Sequence, residues 1–200
     1  ILSGGWMGGQ ECTIFKVSAE EYEEAAEGGA NAAAAEEKTA VDLNAMLIAT
    51  VIVLPVVYAG ALDGLRSQKR TDCILLLVGN VFSGFNAEKK IRELNISDRV
   101  VMAGAVSSKE LPALYRLADV FVFPSLYEGF GIPPLEAMAS GTPVISSNAS
   151  SLPEVTGDAA LMTDPSDTAG ICEKICRVLD DGALSKELSE KGIKRASYFS

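Results

Sequence analysis

Histidine is absent from all 200 residues. That excludes any histidine-based catalytic triad and any imidazole metal site within this chain, and removes the side chain most often used as a general base. Cysteine is sparse: the four, at 12, 73, 172 and 176, form no Cys-x-x-Cys spacing and have no histidine to complete a zinc set. Cys172 and Cys176 stand four apart on one face of a predicted helix, which suits core thiols better than a redox pair. No acidic cluster suggests a metal, so none is expected. Positive charge is scarce, 17 Lys and Arg against 27 Asp and Glu, a formal net charge of −10. With no basic stripe to offset repulsion from phosphates, a general nucleic-acid binder is disfavoured. No Gly-x-Gly-x-x-Gly follows an early strand with an acidic residue about twenty positions on, which argues against a nicotinamide oxidoreductase. The chain opens without a basic stretch and apolar core, so no secretory signal is recognised and a start at Ile1 is compatible with truncation. A cytoplasmic setting is expected, with membrane association left open.

What is present is the composition of a globular α/β protein, 48% hydrophobic and 22% charged. Residues 1–44 stand apart: the run from Ala19 to Ala40 is dominated by alanine, glutamate and glycine, and reads as disorder or loose helix. Ala45 to Leu62 then carries no charge over eighteen residues. Two readings stand there, a membrane span at the lower length limit and a buried parallel strand ending at Gly60. Pro55, the β-branched Val51-Ile52-Val53 and the abrupt Asp63 favour the strand. From Cys73 the rhythm is regular, with apolar strands expected near Ile74–Val78, Val100–Ala103, Val120–Phe123, Pro143–Ser146 and Ala160–Met162. Helices lie between most of them. Ala87–Leu94 is amphipathic, Ser107 and Glu110 form a capping box, Gly141 closes a helix, and two more helices cover about Asp167–Asp180 and Ala183–Ser197. This βαβ series predicts a Rossmann-like parallel sheet with helices on both faces over residues 45–200, its ligand crevice beyond the strand carboxyl ends.

The most informative stretch is Glu128-Gly-Phe-Gly-Ile-Pro-Pro-Leu-Glu136, which follows the strand Asp119-Val-Phe-Val-Phe-Pro-Ser125. Gly129 and Gly131 let the backbone approach a ligand, and Pro133 or Pro134 suits the first helical position. Free amides at such a helix start face an anion, where the dipole alone contributes ~0.3–2 kcal/mol. Glu136, placed in the first helical turn, could accept hydrogen bonds from paired hydroxyls such as those of a ribose. Glu128, across the glycines, could orient sugar hydroxyls or stabilise positive charge at an anomeric carbon. A glutamate near a helix start and a glycine loop after a strand are also ordinary in α/β folds.

The ordered run of LLLVGN at 75–80 and ISDRVVMAGAVSSKELPALYRLADVFVFPSLYEGFGIPPLEAMASGTPVISSNASSLPEVTGDAALMTDPSD from Ile96 resembles the "glycosyl transferases group 1" family. It is similar to that family's carboxyl-terminal domain, one half of the GT-B fold of retaining glycosyltransferases. The resemblance implies a domain that binds a nucleotide-activated sugar as substrate and needs no cofactor. By it, Glu128 is the catalytic residue and contacts the donor sugar, the loop and helix start at Gly129, Phe130, Gly131, Ile132 and Leu135 enclose sugar and phosphates, and Glu136 holds the ribose. Loops after Val78 and Met102 would help enclose the nucleotide, bringing in Gly79 and Val106. The stretch SNASSLPEV resembles members that use GDP-mannose or related donors.

The departures matter equally. The family's amino-terminal domain, which supplies the acceptor site and part of the cleft, has no counterpart in residues 1–70, so this chain alone is expected to be inactive. The acceptor, whether sugar, lipid or protein, is open. The family's basic pair on a loop before a helix is not recognisable after Gly60. Only Arg66, Lys69 and Arg70 could neutralise phosphates, and their connection to Cys73 looks short for a full helix. The favoured reading of the three is a solvated basic turn, as charge runs usually are. The other reading of the whole chain is a nucleotide-sugar-binding module without transferase activity.

Overall fold

The computed structural model describes residues 45–49, 55–67, 70, 73–78 and 87–199. The segment 1–44, Lys69 and Gly79 lie outside the described residues. The strands β1 (Ala45–Ala49), β2 (Cys73–Val78), β3 (Val100–Gly104), β4 (Val120–Phe123), β5 (Val144–Ser147) and β6 (Ala160–Thr163) form one sheet in the order β3-β2-β1-β4-β5-β6. Every pairing is parallel; Leu47 of β1 lies beside Leu75 of β2 on one side and Val120 of β4 on the other. The helices are α1 (Pro55–Ser67), α2 (Ala87–Glu93), α3 (Leu111–Leu117), α4 (Ile132–Ala139), α5 (Leu152–Thr156), α6 (Thr168–Asp180) and α7 (Gly182–Ala196).

Sequence accounts for this arrangement directly. The runs CILLLV of β2 and VFVF of β4 are apolar at every position and buried at every position, as a parallel sheet covered on both faces requires. Strand order runs outward from β1 to β3 in one direction and from β4 to β6 in the other. Right-handed crossovers therefore put α1 and α2 on one face and α4 and α5 on the opposite face. The order reverses between β1 and β4, which opens a crevice beyond their carboxyl ends.

Helix ends follow local chemistry. The Asp167 carboxylate accepts from the Gly170 amide at 2.9 Å to start α6, and that of Asp181 accepts from Ala183 and Leu184, each at 3.0 Å, to start α7. Before α3, the Glu110 carboxylate accepts from the hydroxyl of Ser107 at 2.5 Å and its amide at 3.1 Å, the capping box read from the sequence. α4 ends with Gly141 at φ 83°, where the Thr142 amide donates to Ala137 and that of Gly141 to Met138, both at 3.0 Å. α1 and α6 approach closely because a Cβ on Gly60 would sit 2.9 Å from Cγ2 of Thr168, and one on Gly64 3.2 Å from Sγ of Cys172. Burial pushes the Cys172 thiol up to about 11, so it stays protonated at neutral pH and packs as an apolar side chain.

The uncharged run from Ala45 to Leu62 departs from both expectations. It is neither a strand reaching Gly60 nor a membrane span: the strand stops at Ala49, and Pro55 opens a helix of 13 residues. A proline at the first helical position loses no hydrogen bond, and Ala61, Leu62 and Leu65 then fall on one buried stripe. A central strand followed by the apolar face of its own helix reads as one continuous hydrophobic run. The connection to Cys73 accordingly holds a full helix. Among the described residues no helix is long and apolar enough to cross a membrane.

Candidate functional site

The loop after β4 sits at the switch point of the sheet, where β4 neighbours β1. Pro124 halts the strand and Ser125, itself buried, begins the turn. The hydroxyl of Ser125 donates to Oε1 of Glu128 at 2.8 Å, which turns that carboxylate back over the strand end. Burial raises the pKa of Glu128 from its ordinary carboxylate value, and the bond from Ser125 opposes that rise. Leu126, Tyr127 and Phe130 are exposed around it.

A row of serines holds the loop from the next crossover. Ser150 donates its hydroxyl to the Glu128 carbonyl at 2.7 Å, and Ser151 donates to the carbonyls of Glu128 at 3.0 Å and Phe130 at 2.8 Å. Ser147, at the end of β5, donates to the Ser125 carbonyl at 2.5 Å. With its carbonyls occupied from this side, the loop keeps its amides on the other. Those of Gly129, Phe130, Gly131 and Ile132 donate to no protein acceptor among the described residues. Gly131 caps α4 at φ 113°, a conformation that disfavours any side chain, and a Cβ there would lie 2.7 Å from Cδ2 of Leu152.

α4 begins with Ile132, so the prolines occupy the second and third positions rather than the first. They remove two of the four amides a helix start normally offers, leaving Gly131 and Ile132. Glu136 is the fifth helical residue, one position beyond the first turn where the sequence placed it. Its side chain is half-buried, and Oε2 accepts from the hydroxyl of Tyr115 at 3.4 Å. Burial raises Glu136 as well, opposed by that bond. Leu135, beside it, points into the core. Val106, in the loop after β3, is half-buried against the core on the same carboxyl edge of the sheet.

Arg66 and Arg70 do not join this site. α1 runs from the carboxyl end of β1 back to the amino end of β2, so its last turn lies at the far edge of the sheet from the glycine loop. There Arg66 pairs with Asp63 at 2.9 Å and donates to the Asn95 carbonyl at 3.3 Å, while Arg70 pairs with Asp180 at the end of α6. The buried Arg99 guanidinium binds the Arg70 carbonyl at 2.9 Å and that of Cys73, the first residue of β2, at 2.8 and 3.0 Å, which confirms the edge. The sequence reading overlooked the serines, Tyr115 and the helix α5. Ser147, Ser150 and Ser151 did lie within the stretch singled out for its donor resemblance.

A doubly wound parallel sheet with a glycine loop flanked by two carboxylates at its switch point defines a Rossmann-like domain with the fold of GT-B glycosyltransferases. Residues 57–195 match the family described as glycosyl transferases group 1, and the chain belongs to that family. Over 97 residues it is 47% identical to the O-antigen chain mannosyltransferase B of Escherichia coli, a match covering 48% of this chain and 26% of that protein. Over 134 residues it is 40% identical to the MMP alpha-(1->4)-mannosyltransferase of Mycolicibacterium hassiacum, covering 66% of this chain and 33% of that protein. Among solved structures, Anabaena HepE in complex with UDP-glucose shares the fold with a TM-score of 0.68 at 19% identity, covering 92% of this chain and 50% of that one. The chain spans about a quarter to a third of the length of these two curated relatives.

Proposed function

We propose that this chain is the donor-binding half of a retaining glycosyltransferase that transfers a mannosyl or related sugar from a nucleotide donor, GDP-mannose being the first candidate. The carrying observation is the loop itself: a half-buried carboxylate, a run of amides that donate to no acceptor among the described residues, and a second carboxylate one helical turn on, held by serines from the next crossover. The amides of Gly129 to Ile132 and the start of α4 would meet the diphosphate, with Arg66 and Arg70 too remote to help. Glu136 would accept from the ribose hydroxyls. Glu128 would orient the donor sugar and stabilise the positive charge that develops at its anomeric carbon as the nucleoside diphosphate leaves. Both relatives named above as mannosyltransferases support a mannosyl donor. The acceptor would be held by the other half of a two-domain enzyme, and no step in this reading requires a metal.

Isothermal titration of the chain with GDP, UDP, ADP, GDP-mannose and UDP-glucose tests the reading. One nucleotide should bind saturably, and Glu136→Ala should weaken it about 10- to 100-fold, the equivalent of ~1.5–3 kcal/mol for bonds to a charged group. Equal affinity in the variant removes Glu136 from the site. A folded chain that binds none of the five sinks the donor-site reading.

A further inference from the structure

Tyr115 carries a hydroxyl that reaches the second carboxylate of the site from the core. The residue lies on α3 and is fully buried, yet its Oη stands 3.4 Å from Oε2 of Glu136 on α4. A buried tyrosine hydroxyl needs a hydrogen-bond partner, and the carboxylate assigned to ribose is one here. Both ends of the contact are fixed. The Tyr115 ring meets Phe121 of β4 edge-on, with centroids 5.3 Å apart at 89°. The Tyr115 carbonyl accepts from the hydroxyl of Thr142, which immediately follows the glycine that closes α4. Neither ring nor helix can drift without breaking one of these contacts.

We propose that Tyr115 is a positioning residue for donor binding, its hydroxyl holding the Glu136 carboxylate in the orientation that accepts the paired hydroxyls of the nucleotide ribose. This rests on the reading of Glu136 given above. The ionised carboxyl is the form that accepts two hydroxyl donors, and burial works against that form while the Tyr115 bond favours it. α4 packs against α3, α5, α7, β4 and β5. Of these, among the described residues, only α3 turns a titratable group on the Glu136 carboxylate, the Tyr115 hydroxyl. Removing that hydroxyl leaves burial unopposed, so the carboxylate form is lost at a higher pH than in the parent.

Tyr115→Phe keeps the ring against Phe121 and deletes only the donor. Two measurements read it, each on protein confirmed as folded by its thermal transition. The first follows the side-chain carboxyl of Glu136 by carbon NMR in glutamate-labelled chain, assigned with Glu136→Gln. The midpoint should lie higher in Tyr115→Phe than in the parent, and 4-aminophenylalanine at position 115, which restores a donor, should bring it back. The second titrates the nucleotide that the parent binds across pH. The variant should bind roughly three- to tenfold more weakly at neutral pH. Its acid limb should move to higher pH, and the change should add nothing on top of Glu136→Gln. If the parent binds nucleotide and Tyr115→Phe matches it in affinity and carboxyl midpoint, Tyr115 is core packing alone and the proposal falls. If the parent binds no nucleotide, the reading of Glu136 falls first and takes the proposal with it.

Discussion

Gly131 shows how tightly the site loop is specified at a single residue. Its φ of 113° lies where a side chain is strained, and the position a Cβ would take is 2.7 Å from Cδ2 of Leu152, the first residue of α5. Gly129, two residues earlier, has nothing within 4 Å of its Cβ position. The two glycines of one motif therefore answer to different constraints, one to backbone and packing, the other to open space over the loop. Gly131→Ala should destabilise the chain by about 2–4 kcal/mol, through strain and overpacking together. Gly129→Ala should stay within about 0.5 kcal/mol of the parent. Urea denaturation of the pair checks this, and equal midpoints would show that Gly131 is not locked as described. Ser125 illustrates the complementary point, since one small hydroxyl aims the Glu128 carboxylate that a longer side chain would displace.

At the level of elements, α5 is the part that fastens the loop to the rest of the molecule. Its approach residues Ser150 and Ser151 hold the carbonyls of Glu128 and Phe130. At its other end, Arg195 of α7 donates to the carbonyls of Val155, at 2.8 Å, and Glu154. The same guanidinium lies 5.1 Å over the Phe199 ring, and Phe199 meets Phe130 edge-on at 5.6 Å. The turn after α7 thus touches the middle of the glycine loop. Phe199→Ala should lose an aromatic contact of about 0.5–1.5 kcal/mol and free the Phe130 side. Backbone nitrogen order parameters should fall at Gly129 to Ile132 while those of β4 stay as in the parent, and unchanged values in the loop would refute the coupling. None of this was legible in the sequence, because Phe130 and Phe199, or Glu128 and Ser150, meet only once the sheet has formed. β2, β4 and the stop of α4 at Gly141 were legible, since unbroken apolar runs and a left-handed glycine cap are local signals. The break between β1 and α1 was not, because a buried strand and the buried stripe of the helix after it share one apolar composition. Misreading that break also put Arg66 and Arg70 near the phosphates, when a full crossover helix carries them to the opposite edge.

Across the whole molecule, the site sits where the strand order reverses and carries two carboxylates that the fold does not favour in charged form. Burial raises both Glu128 and Glu136, in a chain whose formal net charge is already −10. A carboxyl whose folded-state pKa lies above its unfolded one binds its proton more tightly in the folded chain. Its contribution to stability therefore falls as pH rises through the window between the two, and the deficit is complete above it. Exposed acids such as Asp158 and Asp164 are shifted the opposite way, Asp158 by Lys191 and Asp164 by the Ser166 hydroxyl, but they cancel in a comparison that alters Glu136 alone. Glu136→Gln removes the deficit and keeps an acceptor for the Tyr115 hydroxyl. The variant should melt above the parent by roughly 1–3 °C at pH 7. That gain should shrink as pH falls and vanish below about pH 4, where an ordinary glutamate is protonated in the unfolded chain too. Thermal melts of both proteins from pH 7 down to pH 4 decide it. A parent more stable than Glu136→Gln at pH 7 would mean the carboxylate has a stabilising partner in the folded state. A variant that gains stability while losing nucleotide would instead show that this charge is kept for its ligand, as a site of function set against the preference of the fold.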